Sequence, residues 1–298
     1  AACAKPAAST LAPAAPAYDG EVAFGHGVAS GDPLPTRVVL WTRVTPKTGT
    51  GPIPVRYDIF GESDGARPLV SGLVCADEAH DYCVKVDVAG LSPATAYLYR
   101  FTALTSAGEI ASPDGRTRTT AASGSAPVKI GVASCANWQF GVFNAYKALA
   151  AEPDLDAIVF PNLQAAHAAA PWICTWDDHE STNDSYRTGA QNHNPEEGEG
   201  DWSDRKQAAL QAYFEWMPMR NPASGDITSA VWRSFSFGDV ATIYATETRL
   251  TGRSPTIGWS EAISATDDPA EIAAQAAAHM KVISDPARTM MGAEQEAW

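Results

Sequence analysis

The five residues Trp176, Asp177, Asp178, His179 and Glu180 set two adjacent carboxylates, an imidazole and a third carboxylate in one short stretch. These are the groups that a metal-assisted phosphoryl transfer uses: carboxylates hold cations, and an imidazole moves a proton or steadies the transferring group. The apolar run from Trp172 to Trp176, preceded by Pro171, reads as a buried strand, with Cys174 as packing inside it. The acids then stand at the carboxyl end of a strand, where ligands bind in open α/β sheets. The same residues could instead form a solvated turn that caps the next helix. His179 and the polar run from Ser181 to Ser185 favour the site reading.

A second strand tip carries chemistry of its own. Residues 128–133 read as a buried strand and lead into Ser134, Cys135 and Asn137. A thiolate and carboxylates at neighbouring strand tips can hold a metal ion between them, whereas Cys135 alone would be read as a buried hydrophobe.

The elements that would position these tips follow from periodicity. Short β-rich runs at 37–44, 54–60, 82–88 and 96–104 are broken by turn signals at 31–33, 63–65 and 91–93, which predicts a β-sandwich over residues 21–120. Within it Trp41 reads as a core aromatic and Asp32 as a turn former. Residues 120–127, rich in Ala, Ser and Gly, read as a linker. Strand and helix then alternate: strands at 128–133, 156–160 and 172–176, helices at 140–151, 163–169 and 205–216, the last stopped by Pro218. A pair of strands at 230–237 and 240–246 turns at Gly238 and Asp239, and Ala-rich helical stretches complete the chain. The fold class is therefore mixed, α+β or α/β layered, with a second domain over 128–298.

A length of 298 residues accommodates two cores, and no apolar run approaches the length of a membrane span. A net charge of −14 argues against a nucleic-acid backbone as partner. The five cysteines lack the paired short spacings of a metal-binding pattern. Cys75 and Cys83 could staple a hairpin in an oxidising compartment or remain two core thiols. The chain opens on Ala1 and runs through Ala, Pro, Ser and Thr, so residues 1–20 read as an exported, flexible tether. Cys3, behind two alanines, is similar to the anchor cysteine of a bacterial lipoprotein.

The stretches Gly27 to Pro33, Val39 to Val44, Ala133 to Ala136 with Gly141 to Tyr146, Trp176 to Glu180, and Arg205 to Met217 together resemble the alkaline phosphatase D (PhoD-like) family of metallophosphoesterases. They occur in the family's order and span both the sandwich and the region beyond it. The resemblance implies a fibronectin III-like N-terminal domain and a metallophosphoesterase β-core flanked by helices. It also implies export to the periplasm or exterior, and hydrolysis of phosphate monoesters or diesters, small or lipid, by a hydroxide on bound Fe3+ and Ca2+. A monomer is expected. By the same resemblance Cys135 is the thiolate ligand of the iron, Asp178 a metal ligand, and Asp177 a second ligand or a supporting acid. His179 stabilises or protonates the reacting phosphate, and Asn183 and Asn192 offer neutral oxygens suited to calcium.

Two departures from the pattern bear on activity. The family's Gly-Asp-Tyr-x-Tyr-Glu motif, which carries the bridging carboxylate, should follow the strand ending at Phe160, but Pro161, Asn162 and Leu163 stand there. A strand-loop-helix segment is missing between Phe160 and Pro161 by this reading. The chain also stops at Trp298 before the family's final histidine motif, and His26, His80, His167, His193 and His279 sit in no equivalent one. The expectation is an impaired hydrolase, or alternatively a non-catalytic exported binding module. Unbalanced carboxylates should then show raised pKa values or a loosened loop.

Overall fold

The computed structural model of the protein describes residues 17–62, 65, 67–133, 144–152, 154–159, 164–228, 231–258 and 264–298. The chain divides into two compact units, the first comprising Ala1–Cys174, Phe214–Arg220 and Ser234–Tyr244, the second Thr175–Tyr213, Asn221–Arg233 and Ala245–Trp298.

In the first unit the strands β1 (Val22–Ala23), β2 (Val28–Leu34), β3 (Arg37–Arg43), β4 (Thr45–Pro46), β5 (Ile53–Gly61), β6 (Val70–Ala76), β7 (Cys83–Ala89), β8 (Ala96–Thr105), β9 (Gly108–Ala111) and β10 (Gly115–Arg118) build a β-sandwich. One sheet runs β10-β8-β5-β6, with β9 beside β8. Alternate residues of β5 and β8, among them Ile53, Val55, Ile59, Tyr99 and Phe101, meet Val38, Leu40, Val84, Val86 and Val88 of the other sheet in one buried cluster. Each such side chain removed from water contributes about 1.5–3 kcal/mol. All four predicted β-rich runs lie on β3, β5, β7 and β8 to within one or two residues.

The second sheet does not end with the sandwich. Its order is β11-β12-β13-β2-β3-β7, where β11 (Ile130–Val132), β12 (Ala157–Val159) and β13 (Trp172–Ile173) run parallel to one another. β13 pairs with β2 in parallel through Trp172 and Gly31. Helices α1 (Asn144–Ala151) and α2 (Gln164–His167) fall between these strands in the chain, as the alternation predicts. Gly31 suits this junction because a Cβ there would come within 2.3 Å of the Pro218 carbonyl oxygen and 2.7 Å of that of Trp172.

β3 is buried on both faces, which is why its sequence reads as a continuous apolar run. Val38 and Leu40 enter the sandwich core, while Trp41 packs with Ala29 and Cys83 against Trp216. The indole N–H of Trp41 donates to the Glu215 carbonyl at 2.7 Å. Asp32 departs from its expected role. It lies inside β2, fully buried, with φ of 46° at a shift of register, so it forms a bulge in the strand. Its carboxylate accepts the Arg220 backbone N–H at 2.6 Å, and the Arg220 guanidinium forks onto Asp87 at 2.8 and 3.0 Å. The hairpin staple does not form. Cys83 is a free, buried thiol raised to about 12 by burial, and Cys75 is disulfide-bonded elsewhere.

The second unit holds the first twelve residues of α3 (Trp202–Trp216), then α4 (Pro269–Ile283) and α5 (Ala293–Ala297). α4 begins on the Asp268 side chain, which accepts the Ala270 N–H at 2.9 Å, with Pro269 in its first turn. Strands β14 (Arg233–Phe237) and β15 (Ala241–Ala245), nearly all of which belong to the first unit, pair as predicted. No helix among the described residues is long and apolar enough to cross a membrane.

Two outcomes test the packing of the first unit. Replacing Gly31 by Ala should lower the urea midpoint by the equivalent of about 1–3 kcal/mol, and an unchanged midpoint would show that the junction yields freely. His167, buried and stacked on Trp172 at 4.1 Å, has its pKa lowered by burial to about 4. Protonation therefore favours the unfolded chain. The contribution of His167 to stability should be level above pH 6.5, fall as the pH drops from 6.5 toward 4, and level again below, a loss of up to about 3 kcal/mol. Urea titrations across that window should show the fall in the parent and a smaller one in His167→Gln.

Candidate active site

The chain leaves β13 at Ile173 and enters the acidic stretch through Trp176, whose ring is buried and meets the Tyr213 ring edge-on at 5.4 Å. The next turn is wound round Asp178. The Asp178 carbonyl accepts the N–H groups of Ser181 and Thr182 at 2.9 Å each, and its carboxylate accepts the Asp184 N–H at 2.7 Å. Asp184 takes a left-handed φ of 51° to make that reach. The Glu180 carboxylate reaches back to the Asp177 N–H at 2.9 Å. Asp178 is thus only 7% exposed, while Asp177 and His179 stay open to solvent.

His179 and Asn183 stand one helical turn apart in sequence and meet, ring Nε2 to amide Oδ1, at 2.9 Å. The Asn183 amide nitrogen donates to Gln191 at 2.5 Å, so its oxygen faces the imidazole and Nε2 bears a proton. That hydrogen bond first, and Asp178 next, raise the His179 pKa and favour the imidazolium. Asn192 enters through its backbone, its carbonyl accepting Thr182 Oγ1 and Arg205 Nη1 at 3.2 Å each. The structure brings Asp177, Asp178, His179 and Asn183 together on one loop. Cys135 lies outside the described residues.

Two further residues belong to the site and were not singled out in the sequence. Arg249 pairs with Asp177 through Nε at 2.7 Å, and its Nη1 approaches Asp178 at 3.9 Å and Asp184 at 3.8 Å. Burial alone would raise the Asp178 carboxyl, but the Asp184 amide and the Arg249 guanidinium outweigh it and hold the pKa below the ordinary value. The expectation of raised carboxyl pKa values is therefore corrected for Asp178, because the Asp184 amide and, after it, the Arg249 guanidinium favour its charged form. Glu247, 2% exposed, gathers the indole N–H of Trp176 at 2.8 Å and the backbone N–H groups of Arg249, Leu250 and Thr251 at 2.7, 2.7 and 2.8 Å. Thr251 Oγ1 adds a fifth donor. The Gln295 side chain closes on the Glu247 backbone from both sides, at 2.7 and 2.6 Å. Both residues follow β15, so, like residues 177–180, they are charged groups just past the end of a strand.

Iron and calcium each need several convergent donors. Among the described residues no three His, Cys, Asp or Glu side chains form such a group. Asn183 Oδ1 is engaged by His179, and a guanidinium lies against the carboxylates. The described residues do not by themselves fit those ions.

Glu247→Gln keeps the shape but turns an amide N–H toward donors. It should cost about 1–3 kcal/mol of stability, read as a lower urea midpoint with a loss of the near-ultraviolet signal of Trp176. An unchanged midpoint would mean that solvent replaces the carboxylate.

Comparison with known proteins gives this site a lineage. The model of the PhoD-like phosphatase N-terminal domain matches residues 9–121, and that of the PhoD-like phosphatase matches residues 161–298. Alkaline phosphatase D of Bacillus subtilis (strain 168) is 30% identical over 336 aligned positions, covering 92% of this chain and 52% of that protein. The alignment exceeds the 298 residues present, so the relative carries residues with no counterpart here. A solved structure of PhoD superposes with a TM-score of 0.73 at 28% identity, covering 96% of this chain and 60% of that one. The chain thus spans about half the length of the curated relative it matches. With both family models matched in order and the WDDHE loop in place, the chain belongs to the PhoD-like phosphatase family.

Proposed function

We propose that the chain carries one wall of a phosphoric-ester hydrolase site, impaired relative to its longer relatives, for small-molecule or lipid phosphate monoesters or diesters. The observation that carries this reading is an exposed imidazole, His179, oriented by Asn183 at 2.9 Å on the same turn as a buried carboxylate, Asp178. Ester hydrolysis needs a proton for the departing oxygen, and an imidazolium near the surface is suited to supply it. Asn183 orients the ring through Nε2 and leaves Nδ1 as the face that can exchange a proton. Asp178 acts on the same imidazole as a fixed negative charge.

A metal ion, when bound in enzymes of this class, supplies the positive charge and the hydroxide. Cys135, Asp177 and Asp178, with Asn183 and Asn192, are the ligands that the family motifs propose. The arrangement of the loop supports proton transfer more than metal retention, because Asn183 and Asp177 are already committed to protein partners. Impairment is supported as well by the sequence between the two family matches. Residues 122–160 fall in neither, and the second match opens at Pro161, where the motif for the bridging carboxylate should stand. Export belongs to the same proposal and is supported by the disulfide at Cys75, since such bonds persist in oxidising compartments.

The test is hydrolysis of p-nitrophenyl phosphate and its bis-ester by the purified chain, with and without added ferric and calcium ions, together with metal analysis. A slow rate that Asp178→Ala and His179→Ala both abolish is expected, with iron well below one per chain. A rate equal to that of the Asp178→Ala variant would remove the enzymatic reading. Stoichiometric, tightly held iron would remove the impairment.

A further inference from the structure

We propose that Arg249 is the resident cation of the acidic loop, filling with a guanidinium the role of charge compensation that a metal ion would otherwise have. Four carboxylates, Asp177, Asp178, Glu180 and Asp184, belong to one eight-residue turn. Three of them lie within 4 Å of a single side chain, at 2.7, 3.9 and 3.8 Å from Arg249. That side chain is only 16% exposed, and its Nη1 is buried without a hydrogen-bond partner. A guanidinium nitrogen with no acceptor is held there by charge, 3.9 and 3.8 Å from the Asp178 and Asp184 oxygens.

The position is built and not a chance surface contact. Glu247 Oε1 accepts the backbone N–H of Arg249 at 2.7 Å and the indole N–H of Trp176 at 2.8 Å, so one buried carboxylate fixes the root of the arginine and the entrance of the acidic turn together. Swinging the guanidinium away would leave Asp178 buried without its neighbouring positive charge, which a protein tolerates poorly. A hard cation must approach carboxylate oxygens to about 2.3–2.6 Å. At the Asp178 and Asp184 edges it would then stand a few ångströms from a fixed like charge. Removing that charge should strengthen cation binding by about tenfold or more.

Terbium(III), a luminescent substitute for calcium that the nearby indole of Trp176 can sensitise, is titrated into the intact chain and into Arg249→Met, Arg249→Lys and Asp178→Asn. The parent and Arg249→Lys should bind weakly and alike. Arg249→Met should bind at least about tenfold more tightly and be displaced by calcium. Its thermal midpoint, lowered in the presence of a chelator, should recover when calcium is added. Equal affinities for the parent and Arg249→Met would overturn the proposal. If Arg249→Met does not fold, the parent decides: terbium binding that is tight and that Asp178→Asn weakens would show that the loop holds a metal with its arginine in place.

Discussion

A carboxylate shut away from water must be met by hydrogen-bond donors or it destabilises whatever encloses it, and Glu247 is where the second unit meets that demand. Its two oxygens collect five donors from Trp176, Arg249, Leu250 and Thr251, and its backbone is clasped by Gln295. Segments about seventy and fifty residues away in sequence are thereby tied to the turn after β15. The acidic loop, the arginine that faces it and helix α5 share this one anchor. Asp32 has the same part in the first unit, where a buried carboxylate on a strand bulge takes the Arg220 N–H and Arg220 in turn binds Asp87.

Much of the sandwich was legible because alternation along β5 and β8 and the apolar run of β3 report burial directly. The acidic loop was legible as a turn for a different reason, since a run of acids and polar residues directly after a short apolar run marks the end of a strand. What escaped depends on partners distant in the chain. Gly31, Asp32 and Pro33 are turn residues by composition, yet the register shift within β2 absorbs them into a strand. Cys75 and Cys83 are near in sequence, but Cys83 faces Ala29 and Trp41 as a free thiol. Arg249 has no motif of its own, and only the fold shows that it lies beside residues some seventy positions earlier.

The loop's electrostatics follow from that arginine. Four acids on one short turn would ordinarily repel one another and weaken the turn that carries them. Here the turn is closed by backbone donors on Asp178 and by a guanidinium shared among three carboxylates. The order of the loop is therefore compatible with few metal ligands.

The extension of the sandwich sheet through β13 bears on how the chain is made. During synthesis β2 can pair with β3 almost at once, but its other edge waits for Trp172, about 140 residues later. Contacts of such separation form slowly, and an unpaired strand edge is a template for pairing with another chain. The sandwich thus acts as a scaffold on which the parallel strands add, and the nascent protein carries a sticky edge for that interval. The bulge at Asp32 kinks that edge and limits the straight length it offers to a wrong partner.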